Sequence, residues 1–230
     1  MMIELTSTPI ILMVILGVAG MIIPVINVVR KERGSSTFYG AIAFGALLLA
    51  LGFVIFQFYD DNLAPAAIFS EDVLVDDGFG SFFAIAMLIV SIMTVAGSFN
   101  YMRKKSNPAI YFSLILLSSI GMVLIAFATD LVMLFVAWEL MSIPTYILAG
   151  FNKKNPSSNE AAIKYFLFGA LSSGIIIYGI SLAYGITGST NIGDVIYGFA
   201  NLSPDMLPLG LLAIGMFIAG FGFKMGLVPF

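Results

Sequence analysis

The sequence predicts an all-α polytopic membrane protein of about seven transmembrane helices with its N-terminus outside. Three observations carry that reading. Hydrophobic residues make up 60% and charged residues only 10% of the 230 positions, against about 45–50% apolar and about 25% charged in a soluble domain. Mean hydropathy is +1.06. The apolar residues gather into seven runs, each near the roughly 20 residues that cross a bilayer.

The first run, 9–29, contains Pro24 and ends at Arg30-Lys31-Glu32-Arg33-Gly34. It has no basic region before it and no small-residue cleavage site after it, so it reads as a retained span and not a signal peptide. The second covers 37–58. Residues 59–80 then turn polar and acidic, YDDNLAPAAIFSEDVLVDDGFG, and alternation beside Asp-Gly turn chemistry predicts a short extramembrane hairpin. The third span, 81–99, leads into Arg103-Lys104-Lys105. Pro108 opens the fourth, 108–128, where its missing N–H costs nothing.

The fifth span, 130–150, follows after almost no loop. Asp130 is placed to cap it. Pro144 inside it removes a donor and frees a carbonyl near Leu140, close to Glu139. After the loop Lys153-Lys154, Ser157 and Glu160 have the spacing of a capping box for the sixth span, 161–184. A polar, glycine-rich connection, GITGSTNIGDVIYGFANLSPDM, leads to the seventh, from 208. Its glycines, Gly210, Gly215, Gly220, Gly222 and Gly226, fit close packing or a discontinuous helix.

Orientation follows from the cations. Of the ten Lys and Arg, eight lie in the loops after spans one, three and five. The opposite loops carry Asp60, Asp61, Glu71, Asp72, Asp76, Asp77, Asp194 and Asp205. The positive-inside rule places the three basic loops in the cytoplasm. The two remaining cations, Lys164 and Lys224, fall within spans.

The chain has no Cys and no His. That removes disulfides, iron–sulfur and thiolate-zinc ligation, the usual haem ligand and the imidazole proton relay. No bound cofactor or metal is expected on this chain. A net charge of −3 argues against nucleic acid as a partner; the lipid bilayer is the expected surroundings.

Intramembrane charge is costly and marks function by default. Glu139 lies about 13 Å into its span at 1.5 Å per residue, near the bilayer centre. It reads either as a protonated, hydrogen-bonded acid between helices or as part of an ion pathway. Lys164 lies one turn inside the apolar stretch and reads equally as a lysine snorkelling to the surface or as a buried cation. Lys224 sits deeper, between FIAGFGF and MGLVPF. It is either an anchor at a helix end or a desolvated, reversible proton carrier. Trp138, Tyr146, Tyr165 and Tyr178 read as packing or interfacial anchors.

The stretch FVAWELMSIPTYILAGFNKKNPSSNEAAIKYFLFGALSSGIIIYGISLAYGITGS resembles the antiporter-like membrane subunits of respiratory complex I. It is most similar to the subunit N (subunit 2) type of NADH:quinone oxidoreductase. FIAGFGFKMGLVPF matches the family's later lysine-bearing broken helix, and the acidic segment with SFFAIAML fits less specifically. The resemblance covers 72–230. It divides the chain into 1–107, helices one to three with the acidic 59–80 hairpin, and 108–230, the start of an antiporter-like repeat. Family members continue past the VPF, so the resemblance implies an N-terminal portion, a fragment or the product of a split gene.

The resemblance implies proton translocation by a subunit without a redox centre, in the cell membrane. Glu139 matches the fifth-helix glutamate, Lys164 its sixth-helix partner in a Glu–Lys pair, and Lys224 the central lysine of the seventh helix. The implied partners are other membrane-arm subunits of an assembly that uses quinone and reduced nicotinamide or F420. A multi-subunit cation/proton antiporter and a membrane-bound hydrogenase share the scaffold and stand as alternatives.

Overall fold

A computed structural model describes residues 7–30, 35–59, 73–103 and 105–228. Eight helices are present among them: α1 (Thr8–Val29), α2 (Ser36–Tyr59), α3 (Gly78–Met102), α4 (Pro108–Phe127), α5 (Leu131–Ala149), α6 (Pro156–Thr187), α7 (Ile192–Ala200) and α8 (Leu207–Lys224). All but α7 are long and apolar enough to cross a membrane, so the seven spans stand. The nine-residue α7 is new; it forms within the stretch read as a polar connection.

Helix α4 is the axis of the first half, packed by α1, α2, α3 and α5. It is the most buried span, and hydroxyls tie it to its neighbours. Ser113 donates to the Gly20 carbonyl of α1, Ser119 donates to the Ser91 hydroxyl of α3 at 2.9 Å, and Ser118 donates to the Met141 carbonyl of α5 at 3.0 Å. Lipid tails offer no hydrophobic drive between helices, so such hydroxyl ties and close packing hold the spans together. Tyr39, Leu47, Leu88, Phe112, Leu116 and Phe127 fill the core between them. A second, smaller core joins α5, α6 and α7 through Leu131, Ile176, Ile180, Ala183 and Val195, with Phe217 and Phe221 of α8 against it.

Carboxylates cap helices on the acidic side. Asp76 accepts from the Thr8 amide of α1, Asp77 from Gly80 of α3, and Asp130 from Val132 and Met133 of α5. Each satisfies amides that the helix leaves over and sits at the positive end of its dipole. The expected capping role of Asp130 is therefore met. The tight α4–α5 turn is paired on both flanks. Val75 and Thr129 bond with Phe127 and Val73 on one side, and Leu131 and Ile192 with Thr190 and Thr129 on the other. Residues 60–72 of the expected hairpin lie outside the described residues; 73–75 pair with this turn.

One local expectation is corrected. The capping box of Ser157 and Glu160 does not form, because α6 starts five residues earlier than expected. Asn155 is the N-cap, its side chain accepting from the Ser157 amide, and Pro156 takes the first turn. Pro144 lies inside α5, which runs on to Ala149. Around it Ser142 donates to the Trp138 carbonyl, Thr145 to that of Ser142, and Ser118 to that of Met141.

Candidate functional site

The site forms where α5, α6 and α8 converge. Glu139 lies about 12 Å along α5 from Leu131, and Ser173 about 26 Å along α6 from Pro156, at 1.5 Å per residue. Lys224 closes the last turn of α8. The Lys224 ammonium donates to Glu139 Oε1 at 2.5 Å, and Ser173 Oγ donates to the same oxygen at 2.6 Å. Side-chain exposure is 4% for Lys224 and 22% for Glu139, so this ion pair is internal.

Local sequence explains how Lys224 is presented. After Lys224 the chain turns at Gly226, whose φ of 68° lies in the left-handed region. The Leu227 amide donates to the Gly222 carbonyl and the Gly226 amide to that of Phe223. This is the Schellman arrangement, which glycine permits and which ends a helix. It leaves the ammonium at the negative end of the α8 dipole, where a cation is stabilised. Helix α8 thus ends beside the pair.

Packing between α6 and α8 fixes the depth of the pair. Ser172 Oγ, buried, donates to the Gly220 carbonyl at 2.7 Å. A Cβ on Gly220 would fall 2.4 Å from Ile176 Cγ1, so only glycine lets the helices approach this closely. Gly220 is one turn before Lys224, so the contact sets where the lysine sits against α5. Trp138 stacks on Phe221 with ring centroids 5.2 Å apart, closing one flank.

On the basic side of the pair lies a cleft of about 370 Å³ lined by Lys224, Gly226, Trp138, Ser142, Tyr146 and Tyr165, among others. Tyr146 and Tyr165 meet edge to face at 4.7 Å, and the Thr145 and Tyr165 hydroxyls lie 3.4 Å apart. Tyr146 and Tyr165, read as packing or interfacial anchors, pack on each other and line the same cleft as Lys224, whereas Tyr178 is half exposed. The geometry offers an acid and a base in contact, a cleft wide enough for water, and hydroxyls leading away from it.

Lys164 lies elsewhere. Its ammonium bonds to Glu160, four residues back, and both side chains are about two-thirds exposed (65% and 64%). The structure brings Glu139 to Lys224, and Lys164 to Glu160. Helical geometry explains the separation. Ser173 faces Glu139, and Lys164 is nine residues away, about 180° around the helix at 3.6 residues per turn. Among the described residues no cluster of His, Cys, Asp or Glu has the makings of a metal site. Ser173 was not singled out from the sequence; its signal was the Ser-Ser-Gly at 172–174, on the face of α6 opposite the charged residues.

Comparison with known proteins places this geometry. The family model described as NADH:quinone oxidoreductase/Mrp antiporter, transmembrane, matches residues 128–230, which contain α5 to α8 and all three candidate residues. Residues 128–230 carry this family's domain. It is 38% identical over 232 residues to NADH-quinone oxidoreductase subunit N of Desulfitobacterium hafniense, covering 99% of this chain and 44% of that protein. It is 39% identical over 163 residues to F(420)H(2) dehydrogenase subunit N of Methanosarcina mazei, covering 71% of this chain and 32% of that one. A chain of respiratory complex I from Thermus thermophilus with bound aureothin superposes with a TM-score of 0.74 at 30% identity, over 95% of this chain and 45% of that chain. The chain therefore spans less than half the length of these relatives. Family and fold make it a multi-pass protein of the cell membrane.

Proposed function

We propose that this chain is a proton-translocating membrane subunit of a complex I-like NADH or F420H2:quinone oxidoreductase. The observation that carries the reading is the largely internal Glu139–Lys224 ion pair where three spans meet, in a family of oxidoreductase and antiporter membrane chains. A carboxylate and an ammonium in contact share one proton that either can hold, and a neighbouring charge can tip which one does. The low dielectric around them makes such tipping strong.

In this reading Glu139 sets the charge on Lys224, and Lys224 passes its proton onward from the broken end of α8. Lys164, with Glu160, is the basic-side member, exchanging protons near the surface. The chain itself carries no redox centre; quinone and reduced nicotinamide or F420 react in the other subunits of the assembly. Those subunits are its partners. Support comes from the absence of Cys and His in the sequence and from the names of the relatives, subunits N of two such dehydrogenases.

The test is proton pumping coupled to quinone reduction in membranes carrying Glu139→Gln in the assembled complex. Pumping is expected to fall sharply with assembly retained; unchanged pumping in an assembled variant would overturn the reading. The family description also names Mrp antiporters. Sodium-driven proton movement in vesicles with no electron donor and no quinone would move the assignment to a cation/proton antiporter.

A further inference from the structure

We propose that Ser173 is a positioning residue of the Glu139–Lys224 site, a two-way hydroxyl that satisfies Glu139 in both of its protonation states. The inference deepens the proton-transfer reading above and rests on it. Ser173 Oγ has two acceptors in range: Glu139 Oε1 at 2.6 Å, on α5, and the Gly169 carbonyl at 2.9 Å, one turn back on α6. A hydroxyl carries a single proton but two lone pairs, so it donates to one of these at a time and can accept meanwhile.

The two acceptors define two states. With Glu139 ionised, the Ser173 proton points to Oε1 and makes a charge-assisted bond. When a proton leaves Lys224, its N–H bond breaks and an O–H bond forms on Glu139. The ammonium becomes an amine, the carboxylate a carboxylic acid, and the pair stays neutral overall. The new acid donates to Ser173 Oγ, and the serine proton turns to the Gly169 carbonyl. In both states Glu139 and Ser173 keep a hydrogen-bond partner, and losing one is the costly outcome in such a site.

An ordinary serine in a helix already bonds back to the preceding turn. Ser91, Ser98 and Ser142 do so here, to Met87, Thr94 and Trp138. Ser173 differs in that its second acceptor is a carboxylate on another helix. Its position is held by its neighbour: Ser172 is tied to Gly220 of α8, so consecutive residues of α6 grip the lysine-bearing helix and the glutamate-bearing one. The ionisable groups around Glu139 are Lys224 from α8 and Tyr146 on α5 itself, with Tyr165 from α6 against Tyr146; α4 faces α5 with Ser118 and apolar side chains.

Infrared difference spectroscopy on the chain in its native membrane assembly tests this, with Glu139→Gln assigning the glutamate band. In Ser173→Ala the carbonyl band of protonated Glu139 is expected to shift to higher frequency, and in Ser173→Thr to return to the wild-type position. Coupled translocation should fall about tenfold in Ser173→Ala, the order of one hydrogen bond to a charged group, and recover in Ser173→Thr. Ser173→Cys, a weaker donor, is expected to lie between them and serves if the alanine variant does not assemble. A glutamate band unmoved in Ser173→Ala and Ser173→Cys overturns the proposal, as does a threonine variant that behaves like alanine. Loss of pumping plays no part in the band assignment, so a failure of the proton-transfer reading, seen as intact pumping in Glu139→Gln, is distinguishable from a failure of the serine's role.

Discussion

Lys224 and Glu139, 85 positions apart in the chain, share one 2.5 Å contact that links the end of α8 to the middle of α5. A buried charge is tolerated because its partner is there. Removing one partner of such a pair typically costs about 3–5 kcal/mol, whereas replacing both with neutral groups of similar volume is often close to neutral. Lys224→Met alone is therefore expected to destabilise the chain strongly, and Glu139→Gln combined with Lys224→Met to restore thermal stability without restoring proton transfer. A double variant no more stable than Lys224→Met would show that the two charges do not depend on each other.

Lys164 gives the contrasting case. Its partner Glu160 is on the same helix and both are largely exposed, so the pair is worth at most about 0.5 kcal/mol. Lys164→Ala is expected to leave thermal stability unchanged and to lower coupled pumping less than Lys224→Ala does. The two variants compared side by side in assembled membranes decide this. An effect of Lys164→Ala equal to that of Lys224→Ala would mean that Lys164 leaves Glu160 and reaches the buried pair in another state of the assembly.

The spans were legible because a bilayer imposes one length and one polarity on every helix that crosses it. Glu139 and Lys224 were legible as candidates because a charge inside such a run is costly, although a structural acid and a helix-end anchor stayed open beside the functional readings. What the sequence hid were relationships fixed by other helices. The start of α6 was misplaced because Ser157 and Glu160 offered a capping box while Asn155-Pro156 offered a better entry, and only one could be used. Helix α7 is a single nine-residue element with two glycines, set in a stretch whose Gly, Ser, Thr and Asn read as a connection. The pairing of Glu139 with Lys224 depends on the Ser172–Gly220 contact between α6 and α8, and Ser173 looks like any helical serine until its neighbour on α5 is known.

Gly226 is where the end of α8 is most exposed to substitution. Its φ of 68° suits glycine, and both Schellman hydrogen bonds depend on it. Gly226→Ala is expected to cost about 1 kcal/mol, the usual penalty for a side chain in the left-handed region, and Gly226→Asn less, because Asn tolerates that conformation. Gly226→Val should be worst, and should also slow coupled pumping by moving the end of the helix that presents Lys224. Thermal denaturation of the three variants gives the ranking; equal melting of all three would show that the turn does not define the end of α8.

Asp130 ties the two halves of the fold at the acidic side. Its Oδ1 accepts from the Val132 and Met133 amides, and its Oδ2 from the Thr190 hydroxyl just before α7. The residue therefore caps α5 and anchors the α6–α7 connection in one step. Loss of an N-cap alone costs about 1 kcal/mol, with about 2 as an upper figure. Asp130→Ala is expected to exceed that range by the Thr190 bond, which Thr190→Val should remove by itself. In a double-mutant cycle the two substitutions should then sum to less than their separate effects, since they share that bond. Strict additivity would place Thr190 outside the cap. Asp130→Asn should keep most of the stability, because an amide oxygen still accepts from the first-turn amides while the favourable charge at the helix dipole is lost.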